Sequence, residues 1–347
     1  MGILGGGQLG RMLAMAAARL GLRAHIYDPS GDPPAAQVAA HHTEAAYDDT
    51  EALARFAAAV DVVTFEFENV PAPTAAALAA QTAVRPNPRA LEIAQDRVLE
   101  KSFLNDLGIA TAPWAEIGER AALDAALSQI APPAVLKTRR FGYDGKGQAR
   151  LTGLDDAGWA WETIGKAPAV LEGFVDFRAE ISVIAVRGLN GRVVCYDPGL
   201  NEHREGILHR TTVPAPLSRK IAQDAVLIAG RIVNALDYVG TIGVELFVTP
   251  QGLLVNEIAP RVHNSGHWTI EACLVDQFEN HIRAVAGWPL GDGARHSDAV
   301  MENLIGEEAL AWLNLAAEPA GFHLYGKDTV RAGRKMGHIT RLSPRRA

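Results

Sequence analysis

Residues 243–258 read Gly243-Val244-Glu245-Leu246-Phe247-Val248-Thr249-Pro250-Gln251-Gly252-Leu253-Leu254-Val255-Asn256-Glu257-Ile258. Two apolar runs flank a Thr-Pro-Gln-Gly turn signal, and the stretch therefore predicts a β-hairpin. A three- or five-residue loop centred on Gln251 sets Glu245 directly opposite Glu257. Facing carboxylates have Cβ atoms ~5 Å apart, and like charges so placed repel. Asn256 adds an amide beside them. Two carboxylates and an amide converging this way are the donor set of a hard cation held through oxygen, such as Mg²⁺. The competing register sends one Glu to solvent.

The strands before this hairpin extend the same sheet. Arg178–Val186 alternates: Ile181, Val183 and Ala185 share one face, Glu180 and Ser182 the other. That period of two predicts an antiparallel sheet with one polar, working face. Further strands are expected at Ala169–Glu172, Val193–Tyr196, Gly240–Val248 and Leu253–Ile258, with a helix over Leu217–Leu236 covering the apolar face. Helices are expected over Leu91–Leu107 and Glu119–Ile130. Lys137 ends a short apolar strand, Val135–Lys137, where an ammonium group needs an anionic partner. A glycine-rich loop follows, Phe141-Gly142-Tyr143-Asp144-Gly145-Lys146-Gly147-Gln148, whose backbone N–H groups can close over phosphates. Beyond the hairpin, Arg261, His263, Asn264 and Ser265 supply hydrogen-bond donors suited to a small oxyanion beside a phosphate. His263 and His267 stand four apart, a zinc spacing, but the H-E-x-x-H glutamate is missing.

The first ninety residues follow a different rule. Short strands at Ile3-Leu4, Ala24–Tyr27 and Val62–Phe65 alternate with helical stretches, including Thr50–Ala59, which predicts βαβ units and a parallel sheet. His41-His42 read as surface residues. Gly5-Gly6-Gly7-Gln8-Leu9-Gly10 fits G-x-G-x-x-G between strand and helix, with Asp28 near the ribose position, and so raises an NAD-dependent dehydrogenase. The glycines themselves say only that backbone approaches an anion at a helix N-terminus, or that a tight turn is needed for packing. Pro86-Asn87-Pro88 and Gly287-Trp288-Pro289 break the pattern, and the expected domains are 1–88, 89–287 and 288–347.

Composition narrows the classes. A chain of 347 residues, 48% hydrophobic and 21% charged, is a globular protein of two or three domains. A net charge of -7 argues against nucleic-acid binding and against a polybasic membrane face. No apolar run reaches the roughly 18 residues of a membrane span. Met1-Gly2 is not followed by a signal-peptide pattern, and Gly6 stands where a myristoylation signal wants Ser or Thr. Cys195 and Cys273 are far apart and in no CxxC pattern, so neither a disulfide framework nor a thiolate zinc site is expected. The cytoplasm is the expected location.

Together these parts resemble the ATP-grasp superfamily. The opening Gly-Ile-Leu-Gly-Gly-Gly-Gln-Leu-Gly-Arg-Met, Phe65-Glu66-Phe67-Glu68-Asn69-Val70, Tyr143-Asp144-Gly145-Lys146-Gly147-Gln148, Asn256-Glu257-Ile258-Ala259-Pro260-Arg261 and Tyr325-Gly326-Lys327 resemble the 5-(carboxyamino)imidazole ribonucleotide synthases. The resemblance implies an ATP-grasp fold, with an N-terminal Rossmann-like parallel-sheet domain and a small C-terminal domain. It implies ATP contacts at Arg97, Lys137, Gly142 to Gln148, Glu172, Gly173, Phe174, Val175, Glu180 and His203. It implies magnesium on Glu245 and Glu257 with Asn256 beside them, and bicarbonate on Arg261 and His263. Gln8, Glu66 or Glu68, Tyr143, Lys327 and Arg334 face 5-aminoimidazole ribonucleotide, with Tyr143 or Glu66 moving a proton. The early glycine loop then faces the ribonucleotide, where its N–H groups could share the phosphate. The implied activity is ATP- and bicarbonate-dependent carboxylation in purine biosynthesis by a homodimer. A formate-dependent glycinamide ribonucleotide transformylase and biotin carboxylase share the core, but the Tyr-Gly-Lys and Gly-Arg-Lys-Met-Gly-His segments favour the synthases.

Overall fold

The computed structural model describes residues 1–142 and 147–345. Its first sheet is parallel throughout, in the order His41–Glu44, His25–Asp28, Gly2–Leu4, Val62–Phe65, Ala83–Val84. Gly2–Leu4 and Val62–Phe65 are buried along their whole length, as continuous apolar runs inside a parallel sheet should be. His41–Glu44 is a strand that the sequence did not announce. It forms the polar sheet edge, and His-His-Thr-Glu carries no apolar alternation to read. Helix Gln8–Arg19 lays Leu9, Met12, Leu13, Ala16 and Ala17 against Phe278 and Ile282 of helix Gln277–Ala286, tying the first sheet to the later chain.

The single helix expected over 91–107 is two, Pro88–Ala94 and Arg97–Asp106. Asp96 separates them, its carboxylate accepting the Val98 and Leu99 N–H at 3.1 and 3.3 Å. A side-chain cap of this kind starts a new helix. Next comes a small antiparallel sheet ordered Trp114–Ile117, Ala169–Gly173, Ala134–Thr138, Gln148–Leu151. Its core is Ile117, Leu123, Leu136, Ala160 and Leu171.

The third sheet has nine strands. Gly252–Ala259, Gly240–Thr249, Ala179–Arg187, Gly199–Arg204 and Ile207–Val213 run on into Ser297–Ile305, Lys335–Pro344 and Gly321–Leu324, while Val193–Cys195 pairs with Ala179–Arg187. Ile181, Val183 and Ala185 pack against Ala225, Ala229, Ile232 and Val233 of helix Arg219–Ala235, so the expected apolar face is the covered one. Residue 287 is not a break in this sheet. Gly287, at φ 77°, ends helix Gln277–Ala286, the left-handed cap that glycine accepts at no steric cost. The strands beyond it rejoin the sheet.

The hairpin forms with a different turn from the one expected. Thr249 pairs with Gly252, leaving only Pro250-Gln251 in the loop. A two-residue loop alone would offset Glu245 from Glu257 by one position. A bulge at Asn256 absorbs the difference: Leu246 pairs with Val255, while Glu245 pairs with Glu257. An extra residue on one strand re-aims the side chains beside it, and here it brings both carboxylates and the Asn256 amide to one place.

Candidate active site

One cleft of about 1010 Å³ lies between the three sheets. It is lined from the first sheet by Gln8, Glu66 and Glu68, from the small sheet by Lys137, Gln148 and Phe174, and from the large sheet by Glu180, His203, Glu245, Asn256, Glu257, Arg261, His263, Lys327 and Arg334. Arg97 and Gly142 complete it. Tyr143, Asp144, Gly145 and Lys146 lie outside the described residues. Gly147 follows them at φ 68°, and Gly173 and Val175 flank Phe174 without lining the cleft among the described residues.

At the hairpin, burial and then the facing Glu257 push the Glu245 carboxyl up to about 7, against a hydrogen bond from Asn256. The Nη1 of Arg97 approaches Glu257 Oε2 at 3.2 Å, and His263 Nε2 lies 3.5 Å from Glu245 Oε1. Burial, followed by the Arg261 charge, lowers His263 to about 3, so its ring is neutral at pH 7. Ser265 Oγ bonds His263 Nδ1 at 2.8 Å and the Ser182 hydroxyl at 2.6 Å. Glu180 lies 2.7 Å from His203 Nδ1; burial opposes charge on that ring, but the Glu180 bond and the Glu180 and Glu245 charges together raise its pKa. Facing acidic oxygens with an amide beside them fit a hard divalent cation, because such a charge offsets both the burial and the repulsion that raise Glu245.

Lys137, at the end of its strand, finds the anionic partner it needs in Glu172, Nζ to Oε2 at 3.0 Å. The other oxygen of Glu172 faces Lys101 at 3.2 Å, and Lys101 is 1% exposed. Lys101 was missed. It stands four residues after Arg97 on one helix, so it shares Arg97's face, and that spacing was the available signal. Arg150, also missed, lines the cleft and stacks 4.2 Å over the Phe174 ring.

The glycine loop is satisfied from within. Gly6 N–H donates to Asp28 Oδ2 at 2.7 Å, Gly7 N–H to Glu66 Oε1 at 2.6 Å, and Gly10 N–H to Glu66 Oε2 at 2.7 Å. The helix N-terminus therefore already holds an anion, the protein's own carboxylate. This corrects the expectation that these N–H groups share a substrate phosphate. It also removes the pyrophosphate seat that a dinucleotide fold requires, since a pyrophosphate there would meet two carboxylates.

The neighbouring charges are sorted by environment. Burial raises the Glu66 carboxyl, in spite of its two backbone bonds. Glu68 is held at about 2, where burial opposes ionisation but its ion pair with Arg261 prevails. Lys327 reaches across from the C-terminal segment to bond Gln8 Oε1, and its Nζ also donates to the Lys335 carbonyl. Burial and then the Arg334 charge lower Lys327 to about 8. Arg334 bonds the Thr329 carbonyl at 3.0 Å, so the contact from the C-terminal segment to the glycine loop is carried by Lys327. The two histidines weighed as a zinc pair are separated: His263 faces Glu245, while His267 turns to Asn264 and Tyr325.

Among the described residues no helix is long and apolar enough to cross a membrane. Three family models match the chain in order: a ribonucleotide synthetase preATP-grasp domain over residues 1–95, an ATP-grasp domain over 102–278, and a phosphoribosylaminoimidazole carboxylase C-terminal domain over 299–347. The N5-carboxyaminoimidazole ribonucleotide synthase of Brucella melitensis is 56% identical, covering 99% of this chain and 96% of its own length. That of Pseudomonas aeruginosa is 47% identical over 98% and 93%. The crystal structure of the Thermus thermophilus synthetase superposes with a TM-score of 0.93 at 45% identity, covering 99% of this chain and 93% of that one. The Aspergillus clavatus synthase in complex with ADP and 5-aminoimidazole ribonucleotide gives 0.93 at 33%, with the same coverage. With an ATP-grasp core between the matching flanking domains, and with relatives this similar along their whole length, the chain belongs to the N5-carboxyaminoimidazole ribonucleotide synthase family.

Proposed function

We propose that this protein joins bicarbonate to the exocyclic amine of 5-aminoimidazole ribonucleotide at the expense of ATP, giving the carboxyamino product, ADP and phosphate. The observation that carries the reading is the Glu245–Glu257 pair, facing across a bulged hairpin inside the cleft that also receives Lys327 and Gln8. Such a cleft can hold a polyphosphate and a second anionic substrate side by side.

Bicarbonate is a poor electrophile. One of its oxygens attacks the γ-phosphorus, the bond to ADP breaks, and the resulting carboxyphosphate contains a leaving group. It releases phosphate and CO₂ beside the amine, which attacks the carbon and loses a proton. Glu245 and Glu257, with Asn256 beside them, would hold Mg²⁺, which supplies charge neutralisation at the transferred phosphate. Lys137, oriented by Glu172, and Arg97 add positive charge on the nucleotide side. Glu180 and His203 serve the ribose end of ATP, and Phe174 between Gly173 and Val175 the base. Arg261 and neutral His263 donate to bicarbonate. The protein's contribution is positioning, electrostatic stabilisation and exclusion of water.

The two acids by the glycine loop divide their roles by pKa, as paired titratable groups in active sites do. Glu68, held ionised by Arg261, is a weak base that orients the arginine. Glu66, raised by burial, accepts the amine proton. In the pH profile of kcat/KM for the ribonucleotide, Glu66→Gln removes the acidic limb while Glu68→Gln keeps it; the opposite pattern reverses the assignment. The function itself is tested by ADP release in bicarbonate buffer with and without 5-aminoimidazole ribonucleotide. Release that depends on the ribonucleotide, with carboxyamino product in equal amount, supports the reading; ADP release indifferent to the ribonucleotide refutes it. We further infer a cytoplasmic homodimer, which sedimentation at twice 37.0 kDa would support.

A further inference from the structure

We propose that Glu271, His323 and His338 form a binding site, apart from the catalytic cleft, for one divalent metal ion of the zinc class. The three side chains come from three elements. His323 and His338 are directly paired across strands Gly321–Leu324 and Lys335–Pro344, with their rings stacked 4.6 Å apart. Glu271, on the short helix Thr269–Ala272, lies over Gly321, where any Cβ would overlap its carboxylate. Each of the three offers one ligand atom, and these atoms all lie within 4.8 Å of one another. A tetrahedral ion with bonds of about 2.1 Å needs ligand atoms about 3.4 Å apart, so binding closes the wider separations and opens the 2.7 Å His323–Glu271 contact. Two imidazoles and one carboxylate are the donor set that borderline divalent metals prefer to the oxygen-seeking magnesium.

The contacts behind His338 engage its Nδ1 and leave its Nε2 without a partner among the described residues. The Leu208 carbonyl can only accept, so the atom of Asn303 that meets it at 2.9 Å is the amide nitrogen. Asn303 Nδ2 also donates to Asn264 Oδ1 at 2.7 Å, which leaves Asn264 Nδ2 to donate to His267 Nδ1 at 3.1 Å. His267 Nδ1 is therefore an acceptor, its one lone pair met by the Asn264 amide, and the Tyr325 hydroxyl lies 3.0 Å from the same nitrogen. The Tyr325 oxygen is also 2.9 Å from His338 Nδ1, placed to accept from Nδ1–H. In that tautomer neutral His338 carries its lone pair on Nε2. Its residue is 0% exposed, and that nitrogen has no hydrogen-bond partner among the described residues. Glu271 Oε2 and Thr340 Oγ1 are likewise buried without a partner, and Thr340 is paired with Gly321, under the same carboxylate. Buried polar atoms are rarely left unpaired, and a metal ligated by Glu271 and His338 accounts for two of these at once. Tyr325 is then the outer partner that orients a ligand histidine.

Binding is an exchange of a proton for the ion. His323 Nε2 and Glu271 Oε1 share a hydrogen bond of 2.7 Å; the metal takes that nitrogen's lone pair and the proton leaves to solvent or moves to Nδ1. The ion would clamp strands 321–324 and 335–344 to helix 269–272, holding the segment between them that carries Lys327 to the cleft.

The test counts zinc on chelator-stripped full-length protein after equilibrium dialysis with excess Mg²⁺ and ADP, so that zinc in the cleft is common to every sample. Glu271→Gln and His323→Gln are used because both residues are partly exposed, unlike His338. Wild type should retain one more zinc per chain than either variant, with affinity lost at least about a hundredfold. Wild type loaded with cobalt should show the visible absorption of a tetrahedral site, and its melting temperature should rise on adding zinc. Both variants should match metal-free wild type in circular dichroism and in ADP release. Equal zinc in wild type and either variant, or no zinc in wild type, overturns the proposal and leaves a His–Glu hydrogen bond of structural role only.

Discussion

Replacing Glu257 by Gln should lower bicarbonate-dependent ADP release on the order of 10²- to 10³-fold with the fold intact. The substitution keeps size and shape, and Glu257's side chain is 40% exposed, so no core contact is removed. What is lost is one of the two charges that face each other across the bulge at Asn256. Burial and Glu257 together keep Glu245 at about 7. Removing the Glu257 charge should let Glu245 ionise more readily, yet a lone carboxylate is a poorer seat for a hard divalent ion. The defect should therefore show as a raised magnesium requirement as well as a lower maximal rate. Loss of the Arg97 contact alone would raise the Michaelis constant for ATP without changing the magnesium requirement. ADP production near wild type at saturating magnesium would falsify the assignment of this pair.

Lys327→Ala should raise the Michaelis constant for 5-aminoimidazole ribonucleotide about ten- to a hundredfold and change that for ATP little. One charge-assisted hydrogen bond is worth roughly 1.5–3 kcal/mol, which is that range in affinity. The geometry strengthens the expectation, because the Gly6, Gly7 and Gly10 N–H groups are taken by Asp28 and Glu66. On the proposed reading the substrate phosphate then depends on side chains, chiefly Lys327, which bonds Gln8, and Arg334, which lines the same cleft. Wild type adds a pH signature. Burial and Arg334 bring Lys327 down to about 8, so its positive charge is present below that pH and lost above it. The ribonucleotide constant should climb as pH rises through about 8, and the variant should lack that limb. If instead the ATP constant rises and the ribonucleotide constant stays, the segment serves the nucleotide side.

The strands named around the hairpin and in the parallel sheet, and the helix over 219–235, were legible because each depends on residues two to four apart, and the Glu245–Glu257 pairing because one short turn joins its two strands. Period-two alternation in Ala179–Arg187 names its covered face without knowing what covers it. The order of short motifs along the whole chain was enough to place it in its family, which the matching domain models bear out. Even inside the hairpin, however, the local reading was right for an incomplete reason. It chose a longer loop, whereas the protein uses a two-residue loop and a bulge, and nothing in Val255-Asn256-Glu257 distinguishes a bulged Asn from a paired one.

What sequence alone determined about this protein was its family, its sheet types and the residue types gathered for phosphate chemistry. What only the tertiary structure decided was how those groups modify one another. Glu66 and Glu68 are two residues apart and look alike in sequence; one is raised by burial and the other held ionised by Arg261, nearly two hundred residues away. The glycine loop looks like an anion seat, and only the approach of Glu66 across 56 and 59 residues shows that the seat is filled. Lys101 and the Asn303–Asn264–His267–Tyr325–His338 relay are likewise made by contacts between distant segments. The reason is physical: propensity and periodicity act over a few residues, whereas a carboxylate's proton affinity and a histidine's tautomer are set by burial and by whichever charge or lone pair the fold brings within about 3 Å.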